Sequence, residues 1–402
     1  MKAGVLLAKH ECIIPFIGIA FCSHHLLLLL THLSMASKPF IALATTVFFF
    51  SLIAVNHFGK PFQGKLGEME VVPITDAVGP ESVAFHPLGD GPYVGISDGR
   101  IIKWQPNEHR WISFGITSPN REGCEGKHDH ETREHICGRP LGICFHETTG
   151  DLYIADAYMG LLKLGPAGGL ATPIPTHAQP QPIPFTFTNS LDINQSDGSI
   201  YFSHTSSLYH RRNHIAVVLS GDKTGMLLKY EQESKQITVL LTNLSFPNGV
   251  ALSKDGSFLV FAETTKCRIL RYWLSTPKAG NLETLAQLPG FPDNIKRSPR
   301  GGFWVAIHSR RCKVLSWILS YSKLGNALIW VLPVDVITKA YSVMSKYLGS
   351  GLAMRISEEG IILETLELES GNKMSSISEV QEKDDHLWMG SINMPFLGVY
   401  RL

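Results

Sequence analysis

Short apolar runs, each followed by a polar turn and a second apolar run, recur along the chain from Val71 onward. The first runs are ESVAFHP, LGICFHE, NSLDINQ, NGVALSK, DNIKRSP and SEVQEKD, and the turns include DG, TTG, SDG, KDG, RGG and KDD. Aligning the runs on one apolar position gives Val83, Ile143, Leu191, Val250, Ile295 and Val380. These positions are separated by 60, 48, 59, 45 and 85 residues.

Repeats of this size, each supplying about four strands, are typical of propeller blades. Six units predict an all-β fold, a six-bladed β-propeller over residues 70–402. The runs Val71–Thr75 and Leu397–Leu402 are predicted to pair and close the ring. The alternative is an irregular β-sandwich, but the strands of a sandwich do not repeat one turn-and-strand pattern at equivalent positions.

The long last interval contains an insertion at about 312–348, before the last blade. Its apolar residues, interrupted by Pro333, predict two short amphipathic helices. Such helices either lid the tunnel or touch a membrane, and packing on a blade edge is the equal alternative.

Residues 1–60 form a separate N-terminal region. The stretch Pro39–Val55 has 17 residues without a charge, with Lys38 before it and Lys60 after it. This length is at the short end for a bilayer span. Without an A-x-A-like cleavage site, a transmembrane signal anchor is favoured over a removed signal peptide. Met35 opens a plausible N-terminus of its own, so we hypothesise that residues 1–34 are an upstream extension.

Composition narrows the class of protein. Lys plus Arg total 36 against 35 for Asp plus Glu, which excludes the basic stripe of a nucleic-acid-binding protein. Charged residues make up 18% of the chain, too few for a disordered protein.

Cysteine positions and sequons predict the compartment. Of seven cysteines, Cys124 and Cys137 flank a very polar segment and are predicted to form a disulfide. Asn194 and Asn243 begin glycosylation sequons. Together with the anchor, these features predict a lumenal domain in the endomembrane system (endoplasmic reticulum or vacuole), membrane-anchored or secreted.

The candidate functional residues lie two positions before each aligned residue. In a propeller, the inner strands converge on the central tunnel at these positions. The residues at this phase are Glu81, Leu141, Asn189, Asn248, Asp293 and Ser378, and Asn294 adds another oxygen. Carboxylates and amides without thiolate or imidazole favour calcium over magnesium. The alternative is that Asn248-Gly249 and Asp293-Asn294 are ordinary turn dipeptides.

Two sets of histidines are further candidates for chemistry. His128, His130 and His135 lie between the predicted disulfide cysteines and are interpreted as part of a solvated loop, with metal binding as the alternative. His204, in YFSHTSS, follows a predicted inner strand and either faces the tunnel or is structural.

The phrases GPESVAF, CGRPLGI, LYIADAYMGL, FPNGVALS, GFPDNIKR and ISEVQEKDDHLWMGS resemble the strictosidine synthase-like family, in order over about residues 70–402. The closest branch includes adipocyte plasma-membrane-associated protein and plant strictosidine synthase-like proteins. The resemblance implies a six-bladed propeller, often behind an N-terminal anchor, and a remote similarity to paraoxonases and other calcium-dependent lactonases and esterases.

The paraoxonase-like pattern implies the same metal ligands: Glu81, Asn189, Asn248, Asp293 and Asn294. That family's proposed histidine base falls at Leu141, and an aspartate that often follows the first asparagine is Ser190. Hydrolysis would then need another base: Asp293, His204 or metal-bound hydroxide.

Strictosidine synthase itself uses a glutamate whose counterpart here is Ser378. The neighbouring Glu379 should point to the opposite face of the strand. True synthases also carry glycine where Asn248 and Asp293 stand. The chain therefore departs from the synthase on both counts.

The leading prediction is a calcium-dependent hydrolase of esters or lactones, acting on a small-molecule substrate. Two alternatives stay open: a strictosidine synthase-type Pictet–Spengler condensing enzyme with a different base, and a non-catalytic propeller that a metal staples and that binds a partner.

Overall fold

The computed structural model describes residues 69–126, 129–174, 177–178, 185–311, 319, 321–339, 341, 351–368, 374 and 376–402. The predicted anchor and N-terminal extension lie outside these residues, as does His128. Within these ranges, no helix combines the length and the apolar character that a bilayer span requires.

Six β-sheets form the blades that the repeat predicts. Blade one contains β2 (Val83–Ala84), β3 (Tyr93–Gly95), β4 (Arg100–Gln105), β5 (Arg110–Ile116) and the parallel β9 (Gly169–Leu170). Blade two contains β6 (Pro140–Phe145), β7 (Leu152–Asp156), β8 (Gly160–Leu164) and β10 (Thr172–Pro173). Blade three contains β12 (Thr188–Ile193), β13 (Ile200–His204), β14 (Gly225–Glu231), β15 (Gln236–Leu244) and the parallel β11 (His177–Ala178).

The second half of the ring repeats the arrangement. Blade four contains β16 (Pro247–Leu252), β17 (Phe258–Glu263), β18 (Arg268–Trp273) and β19 (Leu282–Gln287). Blade five contains β20 (Gly290–Arg297), β21 (Phe303–Arg310), β22 (Leu352–Ile356) and β23 (Ile362–Glu367). Blade six contains β24 (Glu379–Lys383), β25 (His386–Gly390), β26 (Phe396–Arg401) and β1 (Glu70–Pro73).

Helices occupy connections between strands. The α-helices are α1 (Glu134–Cys137), α2 (His214–Ser220) and α3 (Ser322–Val331), and 334–339 are also helical. Among the described residues, 3₁₀ turns span His130–Thr132, Arg211–Asn213 and Thr264–Lys266.

Burial explains why central strands read as continuous apolar runs. All six residues of β17 (FLVFAE) are buried, because each blade is covered by a neighbour on both faces. Toward the axis the backbones themselves touch. A Cβ on Gly249 would lie 2.4 Å from the Ile295 nitrogen, so only glycine fits between the inner strands of blades four and five.

The ring closes as predicted. β1 pairs antiparallel with β26, with Val71 opposite Gly398 and Val72 opposite Leu397. One blade therefore contains both the first and the last described strand. The inner strands also contact each other in cyclic order: β2, β6, β12, β16, β20, β24 and again β2.

The described part of the helical segment joins β21 to β22 inside blade five, which precedes the last blade in the chain. The interior of a blade tolerates it because it extends from the strand ends instead of interrupting the sheet. Its helix α3 packs on α2, where a Cβ on Gly325 would be 1.9 Å from the Leu219 carbonyl oxygen. The predicted bounds of 312–348 include residues outside the described ones, and membrane contact stays a prediction.

The predicted disulfide between Cys124 and Cys137 is present. The histidine loop inside it is not uniformly solvated, which corrects the sequence interpretation. His130 is buried, hydrogen-bonded to Ser97 Oγ and, through Nε2, to the Gly126 carbonyl oxygen 2.8 Å away. His135 is exposed. The loop therefore packs on blade one through His130.

The two sequon asparagines have accessible positions. Asn243 is exposed on β15, and Asn194 is partly exposed in the turn after β12, where its Oδ1 accepts from Ser196 Oγ at 2.7 Å. Glycosylation of either residue stays a prediction.

Because β1 and β26 close the ring, we expect a substitution that weakens their contact to lower the free energy of unfolding. Leu397→Ala removes a side chain that is 0% exposed opposite β1, so the free energy of unfolding should fall by about 2–5 kcal/mol. Urea unfolding followed by tryptophan fluorescence measures this loss. Leu282→Ala, 43% exposed on β19, is the matched control and should change stability far less. Equal losses in both variants would contradict closure through this strand pair.

Candidate functional site

A break in strand pairing recurs at the candidate site in four blades. The register of the inner strand shifts between Pro140 and Gly142, Thr188 and Leu191, Pro247 and Val250, and Pro292 and Ile295. The residues within these shifts are Leu141, Asn189 with Ser190, Asn248 with Gly249, and Asp293 with Asn294. Because a bulge leaves residues unpaired and re-aims their side chains, it explains how one phase of the repeat carries the candidate ligands.

The five predicted metal ligands are all buried, with exposures of 4% for Glu81, 3% for Asn189, 4% for Asn248, 7% for Asp293 and 1% for Asn294. Asn248 Nδ2 donates to Asp293 Oδ1 at 2.8 Å. Asn189 Nδ2 donates to Thr205 Oγ1 at 3.0 Å, and that hydroxyl donates to the Pro247 carbonyl oxygen at 2.8 Å. Blades three, four and five are thus joined at the level of the site.

Hydrogen bonds through the amide nitrogens fix two asparagines and leave their oxygens without partners. Among the described residues, Asn189 Oδ1, Asn248 Oδ1 and Asn294 Oδ1 are buried and accept no hydrogen bond. Buried acceptors of this kind cost free energy unless water or a cation satisfies them. Their number and chemistry fit a hard cation.

Asp293 is the carboxyl group of the site whose negative charge is least balanced by nearby positive charge. Burial raises its pKa well above the usual value, and the negative charge of Glu81 raises it further. The Asn248 hydrogen bond offsets only part of this rise. Among residues that the structure describes, no Lys or Arg forms a salt bridge with it. Two carboxyl groups from blades one and five therefore act on each other in a site that favours added positive charge.

Glu81 has a counter-ion that the sequence analysis missed. Arg139, with a fully buried side chain, places Nη2 3.2 Å from Glu81 Oε2 and Nε 3.8 Å from Glu134 Oε1. Arg211 Nη1 lies 2.6 Å from the same Glu134 oxygen, and the Tyr158 hydroxyl donates to Glu134 Oε2 at 3.0 Å. Two arginines thus balance two glutamates beside the candidate ligands.

Burial governs the pKa values in this network. It raises the pKa of Glu81, an effect that Arg139 and Arg211 partly offset. It lowers the pKa of Arg139, with Arg211 lowering it further. Arg139 was detectable in principle, because it occurs in CGRPLGI two residues before Leu141. Glu134 and Arg211 come from connecting segments and carry no repeat signal.

An apolar cluster lies beside the ligands. It contains Leu141, Ala157, Phe187, Val217 and Phe246. Val217 belongs to α2, whereas Phe187 and Phe246 each come two residues before a candidate asparagine, so α2 covers this end of the inner strands. The position of Leu141 is therefore part of an apolar wall and cannot exchange protons.

His204 ends β13, the second strand of its blade, rather than following an inner strand, which corrects the sequence prediction. It is fully buried, and burial lowers its pKa to about 4. Its described hydrogen bond joins Nε2 to Ser207 Oγ at 3.4 Å and involves none of the five ligands. No described hydrogen bond therefore joins His204 directly to these ligands, although Thr205 beside it accepts from Asn189.

Ser378 and Glu379, which the sequence comparison sets against the synthase glutamate, are both engaged in hydrogen bonds. Ser378 Oγ donates to the Glu81 carbonyl oxygen at 2.8 Å. Glu379 accepts from Ser82 Oγ at 2.9 Å and from the Val83 nitrogen at 2.6 Å. Its carboxylate is therefore held between blades six and one.

These residues define a six-bladed propeller whose inner strands carry buried oxygen donors. Family models for strictosidine synthase and for the strictosidine synthase-like N-terminal region match residues 189–277 and 64–104. Strictosidine synthase-like 2 of Arabidopsis thaliana is 50% identical over 91% of this chain and 100% of its own length. Strictosidine synthase-like 10 of the same plant is 51% identical over 83% and 88%. The chain belongs to the strictosidine synthase-like family.

Solved structures share the fold at low sequence identity. A gluconolactonase from Xanthomonas campestris aligns with a TM-score of 0.54 at 11% identity, covering 84% of this chain and 91% of that protein. The calcium-binding protein regucalcin from Agrobacterium tumefaciens also aligns at 0.54, with 14% identity and coverages of 84% and 94%. Likeness at this identity establishes the fold alone.

The raised pKa of Asp293 predicts a pH dependence of stability in metal-free buffer. A carboxyl group whose pKa folding raises contributes stability below its unfolded pKa and loses it as pH rises through the folded pKa. Asp293→Asn should therefore be more stable than the wild type at pH 7, with the difference vanishing toward about pH 4.

Denaturant titrations across this pH range test the sign. Asp255→Asn is a suitable control, because hydrogen bonds from Ser257 lower the pKa of Asp255 and predict the opposite dependence. An Asp293→Asn variant less stable than the wild type at pH 7 would overturn the assignment.

The arginine network predicts a second effect on stability. Arg139→Met leaves Glu81 buried without its counter-ion, which should lower the free energy of unfolding by about 3–5 kcal/mol. Arg110→Met removes an ion pair with Glu108 whose side chains are 61% and 51% exposed, and should have little effect. Urea unfolding compares the two variants, and similar small losses would show that the network is not stabilising.

Proposed function

We propose that this protein is a calcium-dependent hydrolase of esters or lactones. The observation that carries the proposal is the oxygen-only donor set at the tunnel entrance: two buried carboxyl groups with three partnerless amide oxygens. Among the described residues, no group of three or more His, Cys, Asp and Glu side chains is placed to hold a metal ion, so a site here would depend on the amide oxygens as well as on the two carboxyl groups. The donors present therefore favour calcium.

Glu81, Asn189, Asn248, Asp293 and Asn294 would hold the ion. A bound calcium ion supplies positive charge that polarises a carbonyl group and stabilises a developing oxyanion. Asn248 orients Asp293 through its hydrogen bond, and Thr205 orients Asn189 in the same way. These bonds engage the amide nitrogens of Asn189 and Asn248 and leave their oxygens available to an ion.

Asp293 is the residue that we assign to proton transfer. Its carboxyl group is buried among the ligands and forms no salt bridge with a described Lys or Arg, so it is available to accept a proton. Leu141 cannot serve, and no described hydrogen bond joins His204 to the ligands. Asp293 would accept the proton of the attacking water at Oδ2, because Oδ1 accepts the hydrogen bond from Asn248.

The apolar wall sets the substrate class. Leu141, Phe187 and Phe246 exclude water beside the ligands and would contact the hydrocarbon part of an ester or lactone. A condensing enzyme is less well supported, since Ser378 and Glu379 are both engaged elsewhere.

A non-catalytic role is the second candidate, and one observation favours it. All five ligands are nine-tenths or more buried, and α2 covers that end of the inner strands. A substrate needs access that a purely structural ion does not. In this case the ion would staple the blades, and a propeller face would bind a partner.

We further propose that the domain is lumenal and held at a membrane by the N-terminal anchor. The disulfide supports an oxidising compartment. The accessible positions of Asn194 and Asn243 are compatible with glycosylation there.

The central experiment screens aryl esters and lactones with calcium and with a chelator. Hydrolysis should require calcium, and Asn248→Ala should reduce it by a factor on the order of 10–100. Asn243→Ala, an exposed asparagine on β15, is the matched control and should retain full activity. Hydrolysis that neither the chelator nor Asn248→Ala affects would refute the metal mechanism.

Calcium binding measured by calorimetry on the same variants separates the two candidates. Bound calcium without turnover of any substrate would favour the structural role. Incubation with tryptamine and secologanin, followed by product analysis, tests the condensing alternative.

A further inference from the structure

Lys296 crosses the tunnel of the propeller. It belongs to β20 in blade five, yet its Nζ lies 3.5 Å from the carbonyl oxygen of Ile143 in β6 of blade two. The inner strands contact each other in the cyclic order of the six blades, which makes blades two and five opposite each other. A side chain that joins opposite blades has to pass the axis.

The ammonium group contacts a second blade on its way. Nζ lies 3.4 Å from Glu379 Oε2 in blade six. The same carboxylate oxygen accepts from Ser82 Oγ at 2.9 Å, and that hydroxyl accepts from the Ile143 nitrogen at 3.3 Å. Blades one, two, five and six are therefore linked through one ion pair and its hydrogen bonds.

Asp192 extends this arrangement to the remaining blades. Its charge acts on Lys296, and it lies three residues after Asn189, as Lys296 lies three residues after Asp293. Asp192 Oδ2 accepts from the Leu252 nitrogen in blade four at 2.8 Å, and the Cys144 thiol of blade two lies 3.7 Å from Oδ1. All six inner strands thus contribute to one layer around the ammonium group.

We propose that Lys296 is a built-in cation that holds the six inner strands together, so that the ring does not depend on a metal ion for its integrity. The lysine side chain is 15% exposed and the Glu379 side chain 1% exposed. A carboxylate buried to this degree needs a nearby positive charge. Lys296 provides this charge as part of the chain, without a bound ion. The proposal does not depend on calcium binding by the five ligands.

This assignment changes what a calcium ion at the tunnel entrance would do. If the ammonium group already joins the blades, an ion bound by Glu81 and Asp293 is not required as a staple. Lys296 also obstructs the tunnel beyond the ligands, so that a substrate would have to approach from the side that α2 covers.

The test measures thermal unfolding of the full chain in excess chelator. The wild type should unfold cooperatively, with a midpoint within about 2 °C of its value in calcium-free buffer without chelator. Lys296→Met should lower the midpoint by about 5 °C or more, because Glu379 loses its counter-ion. The control Lys229→Met removes a partly exposed ion pair with Glu231 on β14 and should shift the midpoint by less than about 1 °C.

A double-mutant cycle distinguishes the charge from simple packing. Glu379→Gln should recover part of the stability lost in Lys296→Met, and Lys296→Arg, which keeps the positive charge, should retain more stability than Lys296→Met. If Lys296→Met does not fold, recovery of folded protein in the double variant supports the proposal. Additive losses in the cycle, a loss no larger than that of Lys229→Met, or unfolding of the wild type by chelator alone would each overturn it.

Discussion

Six inner strands meet at one axis, and the polar side chains that they carry must satisfy each other because they are buried there. This constraint shapes the whole centre of the propeller. Arg139 pairs with Glu81, Asn248 donates to Asp293, and Lys296 pairs with Glu379 of the adjacent blade. Each pair joins two different blades. The same interactions therefore balance the buried polar groups at the axis and hold neighbouring blades together.

Two layers of charged residues along the axis balance their charges in different ways. Near α2, the described residues include more carboxyl and amide oxygens than positive groups, and Asp293 has no salt bridge. Further along the inner strands, the ammonium group of Lys296 provides the balancing charge itself. The first layer therefore has the character of a binding site, whereas the second has the character of a permanent link.

The repeated bulge connects the fold to the proposed chemistry. A regular strand would alternate its side chains between the two faces of a blade. The register shifts in blades two to five release Leu141, Asn189, Asn248 and Asp293 from that alternation at equivalent points. In these four blades the bulge thus presents an equivalent position at the candidate site, and the residue at that position determines the chemistry.

The sequence by itself determined the elements whose signal is local and repeated. Turn residues between apolar runs predicted the six blades, the terminal runs predicted the closing strand pair, and the phase of the repeat identified the bulged positions. Short-range patterns suffice for these features, because strand formation and the position of a residue within a blade depend on near neighbours.

Only the tertiary structure decided which side chains partner each other across the axis. Arg139 and Glu81 are far apart in sequence, and Arg211 and Glu134 lie in connections outside the repeat, so no periodicity announces their ion pairs. The sequence pattern also does not show that His204 ends the second strand of its blade, or that the helical segment extends from blade five. Contacts of this kind depend on how six separate blades are brought together, and burial decides their energy only after the ring has closed.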